Sequence, residues 1–206
     1  MKRKNLISLF LIVPGFALLA WSVFRILSMR ETVETTREWL RETAARPSAS
    51  PVWLGANRSL DLPEGEPLGI LSIESVQIEA PVFAGDGKAT LSLAAGWIKG
   101  TALPGSRGNA GIAAHRDTLF RPLRNIRPGD AVVYRSLAGS YTYRVVWTKI
   151  VRPSDVSVLD NTVIPSLTLV SCYPFYYVGP APYRFIVRAE APGPSPPPQS
   201  RNARVQ

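Results

Sequence analysis

Residues 166–174, with the sequence SLTLVSCYP, decide the fold of this chain. A short apolar run of this kind is typical of a buried β-strand. Pro174 cannot donate a hydrogen bond to a neighbouring strand, so strand pairing ends there. The sequence therefore predicts that Cys172 lies at a strand end, where a thiol can reach a cleft. The alternative for an isolated cysteine in an apolar strand is an inert side chain packed in the core.

Further short strands are predicted on both sides of this stretch. The 206 residues include 19 prolines and 15 glycines, which separate apolar runs that are too short for long helices. The pattern predicts an all-β module, either a barrel or a sandwich. The predicted strands are 68–73, 77–82, 100–103, 108–114, 131–134, 141–151, 167–172 and 183–189, and the predicted short helices are 89–95 and 119–124.

The N-terminal region predicts a membrane anchor. Residues 6–27 read LISLFLIVPGFALLAWSVFRIL, with Arg25 as the only charged residue, and this run is long and apolar enough to cross a bilayer as a helix. Lys2, Arg3 and Lys4 precede it, so the positive-inside rule places the N-terminus in the cytoplasm and the following chain outside. A cleaved signal peptide is the alternative, but it would have a shorter apolar region and a small-residue cleavage site.

These features divide the chain into five predicted segments. The region after the anchor is polar and compatible with a helical stalk, and it then becomes a proline-containing linker. The C-terminal end is rich in proline and serine, which is typical of a disordered tail. The segments are a cytoplasmic tip at 1–5, an anchor at 6–27, a stalk and linker at 28–67, a folded module at 68–190 and a tail at 191–206.

The composition argues against several functions. The formal net charge is +9, but the basic residues are scattered and do not alternate with aromatic residues as in a nucleic-acid groove. A single cysteine cannot form an intramolecular disulfide. With one cysteine and one histidine, zinc would lack its usual ligand set. We therefore expect no nucleic acid, no metal and no cofactor.

Two further residues could act together with Cys172. His115 ends the apolar run 110–114 and is followed by a polar turn, and Arg184 lies in the alternating segment 183–188, YRFIVR. Acyl transfer by a cysteine needs a thiolate, a proton donor for the leaving amine and a positively charged donor for the oxyanion. These three side chains supply those groups. The alternatives are a structural histidine and a solvated arginine.

With these residues identified, the sequence resembles the sortase family. Segment 168–172, TLVSC, resembles the sortase cysteine strand, segment 113–118, AAHRDT, resembles the histidine segment, and Arg184 before FIV resembles the arginine strand. The three motifs occur in the family's order. Segment 123–130, LRNIRPGD, is similar to the stretch that follows the sortase histidine. The CYPF continuation and the single predicted anchor resemble class D sortases.

The resemblance implies an eight-stranded sortase β-barrel and a cysteine transpeptidase. Cys172 would attack the threonine carbonyl of a Leu-Pro-X-Thr-like sorting signal, His115 would protonate the leaving amine, and Arg184 would stabilise the oxyanion. Protein substrates would carry the signal at their C-terminus. The acceptor amine would belong to a cell-wall precursor or to a pilin-type lysine. The enzyme would be a single-pass protein of the cell membrane with its catalytic domain outside the cytoplasm.

The resemblance also implies a substrate-binding surface around the cysteine. Thr168, Ser171 and Tyr173 would contribute to it, and the segment 148–165 would cover the substrate groove. An ordinary surface connection is the alternative for that segment.

Two positions depart from the family pattern without removing a reacting group. Ser171 stands where threonine is usual, and Ala114 stands where glycine is common. On the arginine strand, Arg188 and Arg184 point to the same face. We expect Arg184 to be the oxyanion donor and the substitution of Arg188 to matter little.

The sequence leaves two alternative functions. One is a catalytically silent barrel that binds sorting peptides or a membrane partner, which the presence of all three reacting side chains argues against. The other is a cysteine transpeptidase of the cell-wall type that acts on stem peptides, whose characteristic motifs around histidine and cysteine are absent.

Overall fold

The computed structural model describes residues 15–24, 27, 31, 34–36, 38, 62–177 and 179–192. Residues 15–24 are helical and exposed. Among the described residues, no helix combines the length and the apolar character needed to cross a membrane. The predicted cytoplasmic tip lies outside the described residues, as do parts of the predicted anchor and much of the predicted stalk and tail.

The described part from residue 62 onward contains eight strands that close into a barrel. Around the barrel the order is β1-β2-β3-β4-β7-β8-β6-β5, which confirms the predicted eight-stranded sortase-like barrel. The strands are β1 Pro67–Ile73, β2 Ile78–Ala84, β3 Ala95–Trp97, β4 Asn109–Ala113, β5 Ala131–Ser136, β6 Gly139–Val151, β7 Ser166–Tyr173 and β8 Tyr183–Glu190. The short helices are the α-helix α1 Lys88–Leu93 and the 3-10 helices η1 Glu74–Val76, η2 Arg121–Asn125 and η3 Ser157–Leu159.

The barrel interior is apolar because alternate residues of each strand point inward. Leu167 and Leu169 of β7 and Val187 and Ala189 of β8 are fully buried in the main core. The outer face of the same strands carries a second, smaller cluster, formed by Val151, Val158 and Ile186 with Trp147, Leu159 and Val170 packed against it. The connection between β6 and β7 therefore covers part of the outer face of β7 and β8.

Strand pairing brings the ends of β4 and β7 and the start of β8 to one edge of the barrel. β4 and β7 are parallel neighbours, so their carboxyl ends lie at the same edge. β8 pairs antiparallel with β7 and therefore begins at that edge. The residues that follow β4, end β7 and begin β8 are thus neighbours, although they are far apart in the sequence.

Two predicted elements differ from the structure. Residues 100–103 do not form a strand, because Gly100 has a φ of 86° and the chain turns there. The eighth strand is instead β3, Ala95–Trp97, which was not predicted because its three residues are too few to show an alternating pattern. The Trp97 indole donates a hydrogen bond of 2.8 Å to the carbonyl of Ala102, and this bond fixes the turn that follows.

The packed part of the chain also begins earlier than predicted. Leu62 packs against the main core, and the amide of Gly65 donates to the carbonyl of Ala84 at 2.8 Å. The amide of Ala84 in turn donates to the carbonyl of Glu66 at 2.8 Å. Residues 62–67, predicted as the end of a linker, are therefore attached to the barrel by β-type hydrogen bonds.

Candidate active site

Cys172 and Arg184 are neighbours across β7 and β8. The antiparallel register pairs their Cα atoms directly, so both side chains lie on the same face of the barrel wall. That face is the outer one, because the flanking Phe185 packs against the main core inside the barrel. Both residues are partly exposed. The thiol predicted to be at a strand end is therefore accessible and lies beside a cationic side chain.

His115 lies at the same edge, two residues after the end of β4. In the parallel pair of β4 and β7, Ala113 is opposite Val170, and the amide of Ala114 donates to the carbonyl of Val170 at 3.2 Å. His115 therefore follows β4 at the edge where β7 ends with Cys172 and Tyr173. The His115 side chain is exposed, so it can approach the thiol from the solvent side of the groove.

The structure thus brings the three predicted catalytic side chains together at one edge of the barrel. Among the described residues no hydrogen bond joins the Cys172 thiol to the His115 ring. The Arg184 guanidinium uses one nitrogen, Nη1, to donate to the carbonyls of Ala181 at 3.3 Å and Tyr183 at 3.0 Å. Its other N–H groups remain available to a bound group.

Arg116 joins the loop after the histidine to the connection between β7 and β8. Its Nη2 donates to the carbonyl of Tyr177 at 2.6 Å and to the carbonyl of Gly179 at 3.0 Å. The guanidinium also lies over the Tyr177 ring, 5.7 Å from its centre. Sequence reasoning treated Arg116 only as part of a polar turn. Its position beside the histidine was the one signal available, since its partners lie 61 and 63 residues away.

Three aromatic rings support the cysteine from inside the barrel end. Tyr173 and Phe185 are stacked with ring centres 6.3 Å apart, and Phe175 meets both rings edge to face at 6.0 Å and 5.3 Å. Such pairs stabilise a fixed arrangement beyond the burial of their surface. Tyr173 is only partly buried, so part of its side chain remains at the surface. Its predicted role in substrate binding stays a prediction.

Thr168 and Ser171 are buried rather than exposed to the groove. The Thr168 hydroxyl donates to Oδ1 of Asn109 at 2.7 Å, and the Ser171 hydroxyl donates to the carbonyl of Ala114 at 3.2 Å. Both residues are almost inaccessible to solvent. The structure therefore favours a positioning role within the protein for these two residues over the direct substrate contact that the sequence suggested.

The connection between β6 and β7, residues 152–165, is named here the covering segment. It is shorter than the predicted 148–165, because β6 continues to Val151. The segment is attached to the barrel at η3, where the Val158 carbonyl accepts hydrogen bonds from Asn109 Nδ2 at 3.1 Å and Arg188 Nη2 at 2.7 Å. Val163 in the same segment is 97% exposed. The Asp160 carbonyl and Asn161 Oδ1 of the segment also accept hydrogen bonds from Asn109, at 3.1 Å and 3.3 Å. The segment is thus attached to the barrel from Val158 to Asn161, and Val163 beyond this attachment stays exposed.

The sequence did not indicate a role for Asn109, and it predicted that substitution of Arg188 would matter little. Both residues hold the covering segment. Arg188 shares the outer face with Arg184, as predicted, but it is buried, with 6% of its surface exposed. The charge is not solvated, because the covering segment lies over it.

Within residues 62–177 and 179–192, no three His, Cys, Asp or Glu side chains are grouped so that they could hold a metal ion.

The geometry defines a class of enzyme. An accessible thiol at a strand end, with an imidazole beside it and a guanidinium opposite it, is suited to acyl transfer through a cysteine thioester. Comparison with known proteins gives the family. Residues 71–192 match the sortase domain, and the chain belongs to the sortase family. Members of this family are cysteine transpeptidases, which confirms the enzyme class predicted from the sequence.

Individual relatives agree with this assignment. Sortase D of Bacillus subtilis (strain 168) is 31% identical over 194 residues, covering 89% of this chain and 96% of that protein, which confirms the predicted resemblance to class D. A Clostridium perfringens Sortase D5 transpeptidase has the same fold, with a TM-score of 0.64 at 22% identity over 81% of this chain and 99% of its own. Clostridium perfringens sortase C with the C-terminal cell wall sorting motif has a TM-score of 0.59 at 25% identity, over 79% of this chain and 90% of its own.

Proposed function

We propose that this enzyme is a membrane-anchored sortase that cleaves a Leu-Pro-X-Thr-like signal near the C-terminus of protein substrates and joins the cut protein to an amine. The observation that carries the proposal is the direct pairing of Cys172 with Arg184 across β7 and β8. Cys172 is the only cysteine of the chain, so a cysteine transpeptidase has no other thiol to use. His115 is likewise the only histidine.

In the proposed reaction, the Cys172 sulfur attacks the carbonyl carbon of the signal's threonine. The carbonyl oxygen becomes an oxyanion that accepts hydrogen bonds from Arg184. When the C–N bond breaks, the His115 imidazolium gives its proton to the leaving amine, and a thioester remains. The acceptor amine then attacks the thioester, His115 takes a proton from it, and the Cys172 thiolate leaves. A new amide is formed and the enzyme is regenerated.

A peptide signal as substrate suits the apolar side chains of the covering segment. The segment belongs to the same outer-face cluster as Val170, two positions before Cys172, and its Val156 and Val163 side chains are exposed. Apolar side chains of this kind suit the leucine and proline of such a signal. The sortase C of Clostridium perfringens, a structural neighbour, has been determined with the C-terminal cell wall sorting motif. This neighbour supports a sorting peptide as the ligand class for the present enzyme.

The sequence supports the proposed membrane anchor, and the resemblance to sortases supports the proposed acceptor. Residues 6–27 are apolar and follow three basic residues, so we propose a cytoplasmic N-terminus and a catalytic barrel on the outer side. The acceptor amine there would belong to a cell-wall precursor or to a pilin-type lysine. A reporter fused after Gln206 tests the topology. Reporter activity in the cytoplasm, or a mature chain that begins near residue 28, would contradict it.

Acyl-enzyme formation is the direct test of the proposed activity. The full-length protein in detergent is incubated with a library of Leu-Pro-X-Thr-like peptides, and intact mass is recorded with and without hydroxylamine as a small amine acceptor. We expect a thioester adduct on the wild-type protein that hydroxylamine releases. Peptide binding without any adduct would instead support a catalytically silent barrel that binds sorting peptides.

A further inference from the structure

The carbonyl oxygen of Val158 is the point where β8 holds the covering segment to the barrel, beside the bonds from Asn109 to Asp160 and Asn161. A carbonyl oxygen has two lone pairs, and two side chains satisfy them, Asn109 Nδ2 from β4 at 3.1 Å and Arg188 Nη2 from β8 at 2.7 Å. The Thr168 hydroxyl also lies 3.4 Å from this oxygen, but its single proton is donated to Asn109 at 2.7 Å. The segment is thus fixed by β8, which also carries Arg184, and by β4, which precedes His115.

Arg188 occupies an unfavourable place for a residue that serves stability only. It is 6% exposed, and among the described residues its Nε has no hydrogen-bond partner. Burial lowers the pKa of its guanidinium, an effect that nearby Glu190 partly offsets. Burying a charge without an ion pair is costly. The Trp147 ring, 5.5 Å from the guanidinium carbon, compensates for only part of the lost hydration.

Arg188 is too far from Cys172 to act on the reacting atoms. It is opposite Thr168 on β7, four positions from Cys172, which corresponds to about 13 Å along a strand. Any effect on the reaction must therefore pass through the covering segment. The bond from Arg188 to Val158 fixes η3 against the outer face, where η3 belongs to the same apolar cluster as Val170 of β7, two positions before Cys172.

We infer that Arg188 is a positioning residue that holds the covering segment in the conformation that binds the substrate peptide. The inference rests on the proposed function, because it assigns the segment to peptide binding. Because the segment is already held in place before the peptide binds, binding does not have to include the loss of conformational entropy of this segment. The reacting side chains lie on strands or directly after one, which do not depend on this contact. Loss of Arg188 should therefore weaken peptide binding and leave the chemical step nearly unchanged.

Two measurements on the full-length enzyme test this role. For Arg188→Met, which keeps much of the apolar stem but removes the charge and the donors, we expect KM for the peptide to rise about tenfold with kcat within about twofold. Amide hydrogen exchange of Leu159 and Asp160, whose amides close the η3 turns, should be faster by about tenfold or more. Arg188→Lys should restore part of both effects, since an ammonium can still donate to one carbonyl.

Arg135→Met is the matched control, because Arg135 is exposed and lies on β5, outside the covering segment. It should change neither KM nor exchange. An unchanged KM in Arg188→Met, with or without faster exchange, would overturn the inference. If that variant does not fold, Asn109→Ala, which removes the other donor to Val158, must show the same rise in KM. If the wild-type enzyme processes no peptide, the proposed function fails. In that case, unchanged amide hydrogen exchange in Arg188→Met would separately refute the claim that Arg188 holds the covering segment.

Discussion

Cys172 and Arg184 are directly opposite each other on β7 and β8, with both side chains on the outer face of the barrel. This pairing places a thiol and a guanidinium on adjacent strands, whose Cα atoms at paired positions are about 5 Å apart. Neither residue needs to be carried by a flexible loop. The proposed nucleophile and the proposed oxyanion donor are therefore both held by barrel strands, which is the preorganisation that acyl transfer requires.

Replacement of Cys172 by alanine tests the nucleophile. We expect Cys172→Ala to abolish peptide cleavage and the thioester adduct, because no other thiol is present in the chain. The thermal unfolding temperature should stay close to that of the wild type, since the side chain is small and partly exposed. Intact mass spectrometry and a thermal melt check both statements, and retained turnover would refute the assignment.

Arg184 and Arg188 should give different kinetic signatures, although they share one strand face. Loss of an oxyanion donor acts on the transition state, so Arg184→Ala should lower kcat by roughly 100-fold or more. Arg184→Lys should recover only part of this, because a point charge does not replace a two-pronged donor. The sequence suggested that substitution of Arg188 would matter little, but its burial under the covering segment indicates a rise in KM instead. Equal losses of kcat at both positions would show that the strand supplies general electrostatics only.

The β7/β8 connection should depend on Arg116. Its guanidinium donates to the carbonyls of Tyr177 and Gly179, so Arg116→Met should loosen the loop beside Cys172 and lower kcat/KM by about tenfold. Arg121→Met is the control, because Arg121 lies 5.9 Å from the centre of the exposed Tyr176 ring and, within residues 62–177 and 179–192, donates no such bond to the loop backbone. Steady-state kinetics with the library peptide that the wild-type enzyme processes fastest test this prediction. A similar loss in both variants would mean that positive charge near the groove, and not the attachment, is what matters.

The sequence predicted those parts of the site that depend on strand patterns. Cys172, His115 and Arg184 each lie at a boundary between an apolar strand and a turn, and β-strand pairing then brings such boundaries together. The sequence could not predict that Arg188 is buried, because an alternating strand looks the same whether its outer face is covered or solvated. Nor could the sequence show the hydrogen bond between Asn109 and Val158, which are 49 positions apart. The acceptor is a backbone carbonyl, and because every residue has one, the sequence does not mark this one.

Buried tyrosines should make the barrel sensitive to alkali. Burial raises the pKa of Tyr134 and Tyr143 well above the usual value, which is near 10 in an unfolded chain. The folded state therefore keeps both phenols protonated where the unfolded state releases their protons. Their contribution to stability is fully present below about pH 10 and is lost as the pH rises above it.

The expected slope can be measured by urea unfolding at a series of pH values. Above pH ~10, each of the two phenols should reduce the free energy of unfolding by about 1.4 kcal/mol per pH unit. Tyr143→Phe should reduce the slope by that amount. The Tyr143→Phe variant should also be less stable at neutral pH. The amide of Gly105 donates to the Tyr143 hydroxyl oxygen at 2.8 Å, and loss of that oxygen leaves a buried donor unpaired, at a cost of about 1–3 kcal/mol. Tyr176→Phe is the control, since its side chain is 74% exposed, and it should leave the slope as in the wild type. A slope that is the same in Tyr143→Phe and the wild type would show that the buried Tyr143 phenol does not control the alkaline transition.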